Sequence, residues 1–392
     1  VGAGDVIGTP SATGTFQITA TDANSCTGVG NAVVIGSLVL PGDLVIREFR
    51  SRGPQGALDE YVEIANRSTS ALTVAATDGS TGFGIAAESG GLLATIPNGA
   101  VIPVGGFYLA ANSDPTAGYS LSDYGGPGVA APDVSWLTDL PDNTGIGLFK
   151  SAATLSNGTR LDAAGFVGST SPYIEGAGIP VPAATGLSEV TYLRSSPGGV
   201  IQDTGVNAND FFLGDTNAGT FGAVAARLSS PGPQNAASEK ASGLAFTLAD
   251  PTKGATVFPN RWRTTTTPTT GTYYFRWKVT NNTGAAITNL RIRVANVTTL
   301  NSPGYAPGGA QADFRLIASS DVVISVPGAV TALGLASAPP PSGLPLDGGY
   351  HASAVVALPG GTLANGASVY INLALRYQQA GAYAYFVSGE AK

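Results

Sequence analysis

The stretch from Tyr274 to Thr280, Y-F-R-W-K-V-T, alternates apolar and polar side chains with a period of two. This is the period of a β-strand, because successive side chains of a strand point to opposite faces of its sheet. Phe275, Trp277 and Val279 are therefore expected to face a hydrophobic core, with the intervening basic residues on the other face.

A short turn, N-N-T-G at 281–284, separates this stretch from a second alternating stretch at 287–294. There Leu290, Ile292 and Val294 share one face, opposite Arg291 and Arg293. Two such stretches joined by a turn predict a β-hairpin. Similar short runs bounded by turn residues occur along the whole chain, and helical spacing of apolar residues is rare. The sequence therefore predicts an all-β fold.

The composition sets broad limits on the class of protein. The 392 residues are enough for two or three domains, and 43% hydrophobic against 11% charged residues allow buried cores. With no Met, we expect a processed chain or a fragment of a longer protein. The lone Cys26 excludes an intramolecular disulfide and a multi-cysteine metal cluster. Few oxidisable side chains suit an extracellular or cell-surface location.

Nucleic acid and membrane partners are not expected. The net charge is −7, and the basic stretches at 261–263 and 291–293 are too short for a phosphate-binding surface. Residues two apart share a strand face, so both stretches are expected to be solvated faces. No apolar run approaches the roughly 18 residues that span a bilayer.

Residues 1–42 form the first predicted region, with strands at 13–20 and 31–35. The segments 8–16 (G-T-P-S-A-T-G-T-F) and 21–28 (T-D-A-N-S-C-T-G) resemble the C-terminal part of bacterial surface Ig-like repeats. The resemblance covers about 30 residues and implies that the first half of such a module is missing. It also places Cys26 in a turn, where we expect a buried or half-buried thiol, with intermolecular pairing as the alternative.

Residues 43–235 form the second region. Its segments D-L-V-I-R-E-F (43–49), D-E-Y-V-E-I-A-N (59–66) and G-G-F-Y-L-A-A-N (105–112) resemble the lamin-tail domain, as does the predicted hairpin G-I-G-L-F (145–149) with L-D-A-A-G-F (161–166). The resemblance spans nearly 190 residues and implies an Ig-like β-sandwich. The chain departs from the family pattern after Val74.

Residues 236–392 form the third region, which contains the alternating stretches quoted first and further predicted strands at 369–377 and 382–388. It resembles Ig-like or fibronectin-like sandwiches of secreted bacterial proteins. The predicted architecture is therefore a set of tandem Ig-like β-sandwich modules, divided at 1–42, 43–235 and 236–392.

No catalytic constellation is predicted. His351 is the only histidine, so any Ser-His-Asp device must use it, and we expect a structural or exposed side chain instead. Carboxylates that are close in sequence invite a glycosidase hypothesis. The lamin-tail resemblance places them on neighbouring strands, so we expect a surface ion-pair network made of Glu48, Asp59, Glu60 and Glu63 with Arg47, Arg50 and Arg52.

Calcium is the cofactor to consider, since five oxygen-bearing side chains fall within 13 residues. They are Asp203, Asn207, Asn209, Asp210 and Asp215. No EF-hand pattern is present, and Asn and Asp in turns also explain the cluster. We expect no other cofactor.

Four Asn-X-Ser/Thr sequons are candidate glycosylation sites. They are Asn66, Asn157, Asn281 and Asn296. Four short sequons in a chain rich in threonine are also expected by chance.

These observations favour a non-catalytic extracellular structural protein, assembled with copies of itself into a surface filament or layer. An incomplete sandwich exposes unpaired strand edges that another subunit can complete by β-strand addition. The residues expected to carry this assembly are Thr13, Phe16, Ile18, Val33 and Ile35.

Two alternatives stay open. The chain could be the accessory or adhesive C-terminal part of a larger secreted hydrolase or nuclease, as lamin-tail domains accompany such enzymes. It could also bind cell-surface glycans on exposed aromatic side chains, with Tyr119, Tyr124 and Trp136 as candidates.

Overall fold

A computed structural model describes residues 14–21, 24–34, 39–121, 130–183, 189–338 and 348–392. These residues form a nearly all-β protein with several sheets, which confirms the predicted fold class at that level. Among the described residues, α1 (Asn207–Asp210) is the one α-helical turn. Within the described ranges, no helix combines the length and the apolar character needed to cross a membrane.

The first two strands form an antiparallel hairpin of their own. β1 (Gly14–Thr21) pairs with β2 (Thr27–Val34) over eight positions, from Gly14 opposite Val34 to Thr21 opposite Thr27. Neither strand joins another sheet of the described chain.

The next part of the chain builds a pair of sheets, which we call the first sheet pair. Its seven-stranded sheet has the order β10-β9-β4-β3-β13-β14-β17, and its four-stranded sheet has the order β12-β11-β6-β7. Two-stranded pairs β5-β8 and β15-β16 flank them. The strands are β3 (Leu44–Arg50), β4 (Tyr61–Asn66), β5 (Leu72–Thr73), β6 (Gly82–Ala87), β7 (Gly91–Pro97), β8 (Val101–Ile102), β9 (Phe107–Asn112), β10 (Val134–Trp136), β11 (Ile146–Phe149), β12 (Arg160–Ala164), β13 (Val190–Arg194), β14 (Phe211–Asp215), β15 (Thr220–Phe221), β16 (Val224–Ala225) and β17 (Arg227–Leu228).

One hydrophobic core lies between the sheets of the first pair. Ile46 and Ile64 of the seven-stranded sheet belong to the same buried cluster as Ile85 and Leu148 of the four-stranded sheet. Burying one such side chain stabilises a fold by roughly 1.5–3 kcal/mol. The predicted hairpin at 145–149 and 161–166 is confirmed as β11 and β12, which pair antiparallel.

The remaining strands build the second sheet pair. Its seven-stranded sheet has the order β18-β20-β27-β24-β23, with β19 also beside β20 and β22 also beside β27. Its four-stranded sheet has the order β25-β26-β21-β28. The strands are β18 (Leu244–Leu248), β19 (Arg261–Thr267), β20 (Thr270–Asn281), β21 (Leu290–Val297), β22 (Asp313–Ile317), β23 (Val322–Ser325), β24 (Ala329–Leu333), β25 (Leu335–Ala338), β26 (Ser353–Val356), β27 (Ser368–Gln379) and β28 (Tyr385–Ala391).

The hairpin predicted from the alternating stretches is wrong, although both stretches are strands. β20 lies in the seven-stranded sheet beside β27, whereas β21 lies in the four-stranded sheet between β26 and β28. Phe275 and Ile292 still meet in one core, because the two sheets face each other. An alternating pattern identifies the buried face of each strand but not the strand that pairs with it.

The prediction of a solvated strand face at 291–293 is also wrong. Arg276, Arg291 and Arg293 are all buried. Arg276 donates to Asn372 Oδ1 (3.1 Å) and to the carbonyl of Pro259 (3.1 Å). The other two arginines point at the first sheet pair, as described below.

Candidate functional site

The hairpin β1-β2 has two strand edges that pair with no other strand of the described chain. Its two strands form main-chain hydrogen bonds with each other along their shared edge. No third strand of the described residues pairs with either outer edge. Unpaired N–H and C=O groups on such edges are templates for pairing with another chain. A lone two-stranded hairpin is also marginally stable in water.

Three of the residues predicted to carry assembly lie in this hairpin. Phe16 stands opposite Ala32, Ile18 opposite Gly30, and Val33 opposite Thr15. The other two, Thr13 and Ile35, lie outside the described residues. The hairpin strands carry no charged residue, so pairing with another strand would desolvate no charge.

Cys26 lies at the tip of the hairpin, immediately before β2. It is exposed, so the prediction of a buried or half-buried thiol is wrong. The preceding Ser25 has a backbone φ of 63°, in the left-handed region that suits a tight turn between the two strands. As the only thiol of the chain, Cys26 provides a natural position for labelling the hairpin.

β19 forms a second open edge, in the second sheet pair. It pairs with β20 and with no other strand of the described chain, and most of its residues are exposed. Its Trp262 packs edge-on against Phe258 (5.9 Å between centroids), and both rings are about half exposed. The basic stretch at 261–263 is thus largely solvated, as predicted.

Buried ionisable side chains from both sheet pairs meet where the two pairs join. We call them the junction cluster, and its members are Arg47, Glu48, Glu63, Arg291, Arg293, His351 and Glu390. The most exposed of them retains 7% of its surface, so their charges must be matched inside the protein. Glu48 and Glu63 were predicted in a surface ion-pair network, and that prediction is wrong because the second sheet pair covers both carboxylates.

His351 links the two sides of the cluster. Its Nε2 lies 2.8 Å from Nη2 of Arg47, and its Nδ1 lies 3.0 Å from Oε2 of Glu48. A guanidinium can only donate, so Nε2 accepts and the ring proton resides on Nδ1, facing the carboxylate. The imidazole is therefore neutral. Burial, reinforced by Arg47 and Arg293, lowers the pKa of His351 to about 4.

The backbone of His351 is held in the left-handed region, with φ of 63°. This conformation is uncommon for a residue with a Cβ. A hydrogen bond from its N–H to the carbonyl of Val294 (2.8 Å) and one from Arg293 Nη1 to its own carbonyl (3.1 Å) fix it. The side chain is thereby aimed at the first sheet pair, which makes His351 a structural residue, one of the two predicted outcomes.

Glu390 supplies the anionic centre of the second sheet pair. It accepts hydrogen bonds from Nε of Arg291 (2.6 Å) and Nε of Arg293 (2.9 Å). Burial would raise the pKa of Glu390, but the two guanidiniums outweigh it and hold the pKa below its ordinary value. On the opposite side, burial together with the charge of Glu48 raises the pKa of Glu63 to about 8.

The other predicted carboxylates are buried as well. Arg50 lies between Asp59 and Glu189, and all three side chains are inaccessible to solvent or nearly so. Glu60 accepts hydrogen bonds from the Asn112 side chain (2.9 Å) and from the N–H of Leu140 (2.7 Å). Ion pairing was predicted correctly for Arg50, but these groups anchor loops over the outer face of the sheet instead of lying at the surface.

The five calcium candidates do not converge on one point. Asn207 accepts from the N–H groups of Gly165 and Glu175, and Asp215 accepts from the N–H of Gly219. Asp203 and Asp210 both approach Arg194 Nη1, at 3.4 and 3.7 Å. The positive charge beside Asp203 and Asp210 is therefore the guanidinium of Arg194. Asn209 is exposed elsewhere on the surface.

A different acidic group does form. Asp162, Glu175 and Asp203 bring carboxylate oxygens within 4.8 Å of one another. Burial and the charge of Asp162 raise the pKa of Glu175 to about 8. Arg194 pairs with Asp162, and Arg67 with Asp203 (2.9 Å). Sequence spacing could not indicate this group because its members come from three separate segments.

Two of the four sequons are incompatible with glycans in this fold. Asn66 and Asn281 are buried, and the side-chain nitrogen of each donates to main-chain carbonyls, among them Ile102 (2.9 Å) and Leu363 (2.8 Å). In each case the Oδ1 accepts from the backbone N–H two residues later. This Asx turn explains the Asn-X-Ser/Thr pattern without glycosylation. Asn157 is exposed, and Asn296 is half-buried.

The aromatic platform predicted for glycan binding is absent from the described part of the loop. Tyr119 is 8% and Trp136 4% exposed, because the tyrosine hydroxyl donates to the Ala130 carbonyl and the indole packs into the first core. That prediction is wrong for these two residues. Tyr124 lies outside the described residues.

No protein-family model, curated protein or solved structure matches this chain.

Proposed function

We propose that this chain is a non-catalytic subunit of an extracellular filament or surface layer, assembled by β-strand addition between copies. In this proposal the two sheet pairs are tandem Ig-like sandwich modules, the first of the lamin-tail type. The observation that carries it is the hairpin β1-β2, whose outer edges are paired with no strand of the described chain.

β19 of a second copy is the acceptor edge that suits this hairpin best. It is seven residues long, against eight for each hairpin strand, and it runs along the open side of β20. Its four consecutive threonines are β-branched and favour extended backbone. Main-chain hydrogen bonds would supply the affinity, as in other cases of strand addition.

The charges of β19 do not obstruct such pairing. Arg261 donates to the hydroxyl of Tyr383 (2.9 Å), and Arg263 donates to the hydroxyl of Tyr377 (2.9 Å). Both guanidiniums are thereby held against the sheet, away from the outer edge. The hairpin contributes no opposing charge.

A contact between the hairpin of one copy and β19 of the next joins two different surfaces. Such a heterologous contact does not close on itself unless its rotation completes a ring, so it generates filaments. The junction cluster supports the same role, since the buried contacts of His351 with Arg47 and Glu48 join the two sheet pairs and would keep the subunit stiff under tension.

Truncation tests the proposal directly. Removal of residues 1–42 is expected to give a folded monomer, because the donor hairpin is lost while both sheet pairs keep their cores. The control is removal of residues 1–12 alone, which retains Thr13 and β1-β2 and is expected to leave assembly intact. Electron microscopy and sedimentation velocity of each chain, isolated without refolding, provide the readout. A chain lacking 1–42 that still forms filaments would refute the mechanism.

A further inference from the structure

A cleft of about 440 Å³ opens between the two sheet pairs, and no residue of β1, β2 or β19 is among those that line it. One wall comes from the loop after β13, with Ser196 and Gln202, and from Asn209 and Arg227. The other wall comes from the end of β21 and from the segment that contains Tyr350. The volume falls within the ~300–1,000 Å³ of small-molecule sites, which often lie between modules.

Arg227 is the only charged residue among those that line the cleft. Its guanidinium carbon lies 4.2 Å from the centroid of the Phe212 ring and 5.6 Å from that of Tyr350. These rings hold the side chain in place without neutralising it. Among the described residues, no carboxylate lies within 4.0 Å of its nitrogens, whereas the buried Arg50, Arg194 and Arg291 all have carboxylate partners.

A cation that is partly removed from water and lacks an anionic partner attracts an anion. Burial lowers the pKa of Arg227, and the Tyr350 hydroxyl offsets part of this effect. The cleft provides one positive charge and no lysine, which matches a single carboxylate better than a phosphate dianion.

The rest of the lining is rich in neutral hydrogen-bonding groups. Gln202, Asn209 and Asn296 offer amides, and further serine and threonine hydroxyls surround them. The Ser196 hydroxyl is buried at the wall, and no described residue bonds to it. A buried polar group of this kind in a native structure points to an additional partner. Amides and hydroxyls can both donate and accept, as the hydroxyls of a sugar require.

We propose that this cleft binds a uronic acid residue, either free or as part of an acidic polysaccharide. Its carboxylate would pair with Arg227, and its ring hydroxyls would bond to the amides and hydroxyls of the two walls. The site is independent of strand addition, so it would be present in the monomer as well as in the filament.

Two ligands that differ only in the carboxylate test this assignment. Isothermal titration calorimetry of the intact chain would compare methyl β-D-glucuronide with methyl β-D-glucoside. A charge-assisted pair predicts that the glucuronide binds about tenfold tighter or more. Oligosaccharides of glucuronic acid, titrated in parallel, distinguish a monosaccharide site from a polysaccharide site. Tighter binding of the oligosaccharides than of the monosaccharide indicates a polysaccharide site, and equal binding indicates a monosaccharide site.

Two variants locate the binding. R227Q is expected to abolish the preference for the glucuronide, and N209D, which adds a negative charge at an exposed position of the wall, is expected to weaken glucuronide binding selectively. The matched control is K253Q, which removes an exposed positive charge outside the cleft and should leave both affinities unchanged. N209D keeps the test informative if R227Q fails to fold.

Three results would overturn the proposal. They are equal affinity for both glycosides, a glucuronide affinity that R227Q and N209D leave unchanged in folded protein, and displacement of the glucuronide by an equal concentration of acetate, which would show an anion site without sugar recognition.

Discussion

Asn66 and Asn281 perform the same task in the two sheet pairs. Each ends a strand, β4 or β20, and each side chain then bonds both to the following turn and to a carbonyl of a distant segment. The amide thus replaces the ladder hydrogen bonds that the departing strand can no longer make. At the residue scale, these two asparagines complete the hydrogen bonding at the strand ends that border the two cores.

Replacement of Asn281 by alanine is expected to lower the free energy of unfolding by about 1–3 kcal/mol. The reason is that the buried carbonyl of Leu363 and the N–H of Thr283 would both lose a partner. Urea denaturation followed by circular dichroism measures the change.

Asn157 offers a matched control, since it is also the asparagine of a sequon but lies exposed. Asn157→Ala is expected to change the free energy of unfolding by no more than about 0.5 kcal/mol. Equal losses for both variants would show that the buried amide of Asn281 has no special role.

The strands differ in how much of each edge is paired with a neighbouring strand. β20 and β27 are paired on both sides along much of their length, whereas β1, β2 and β19 each have an edge that is open among the described residues. Open edges promote association, and proteins usually protect them with charge, proline or a covering loop. At the element scale, the strands of the hairpin carry neither a charged residue nor a proline that would protect their edges.

Ile18→Pro is expected to abolish assembly while leaving the main unfolding transition unchanged. Proline removes a main-chain donor and cannot be accommodated in the middle of a paired strand, but β1 pairs only with β2. Ile18→Val keeps the donor and the β-branched shape, so it should assemble like the parent chain. Light scattering and differential scanning calorimetry provide the two readouts, and filaments formed by the proline variant would exclude β1 from the interface.

The two sheet pairs are joined by main-chain hydrogen bonds as well as by the junction cluster. Tyr350 donates its N–H to the carbonyl of Leu228 and accepts from the N–H of Ser230, both at 2.9 Å. Leu193 of the first sheet pair is also packed into the second core. On the scale of the whole molecule, the sheet pairs are therefore expected to unfold together.

Glu390→Gln is expected to destabilise the whole chain by about 3–5 kcal/mol, because it leaves Arg293 buried without its anion and Arg291 with Glu239 alone. Calorimetry should show one transition at a lower temperature, since both sheet pairs depend on the junction. Asp142→Asn is the matched control. It breaks an ion pair with Arg52 that is about 30% exposed, so it should cost less than about 1 kcal/mol. Two separate transitions in the glutamine variant would argue against coupled unfolding.

The sequence by itself determined the all-β class and the buried face of most strands. A period of two follows from strand geometry alone, so Phe275, Val279, Leu290 and Ile292 were placed in a core without knowledge of their neighbours. The Asx turns at Asn66 and Asn281 are equally local, although their sequons also suggested glycans.

Only the tertiary structure decided which strands pair and which polar groups are buried. β20 and β21 look like a hairpin in the sequence but belong to facing sheets. Glu48, Arg293 and His351 look like solvent-exposed residues, yet they meet at the junction across some 300 residues of chain. Local patterns report the direction of a side chain, whereas pairing and burial depend on the free energy of contacts between distant segments. The cleft around Arg227 has the same origin, because its two walls come from different sheet pairs.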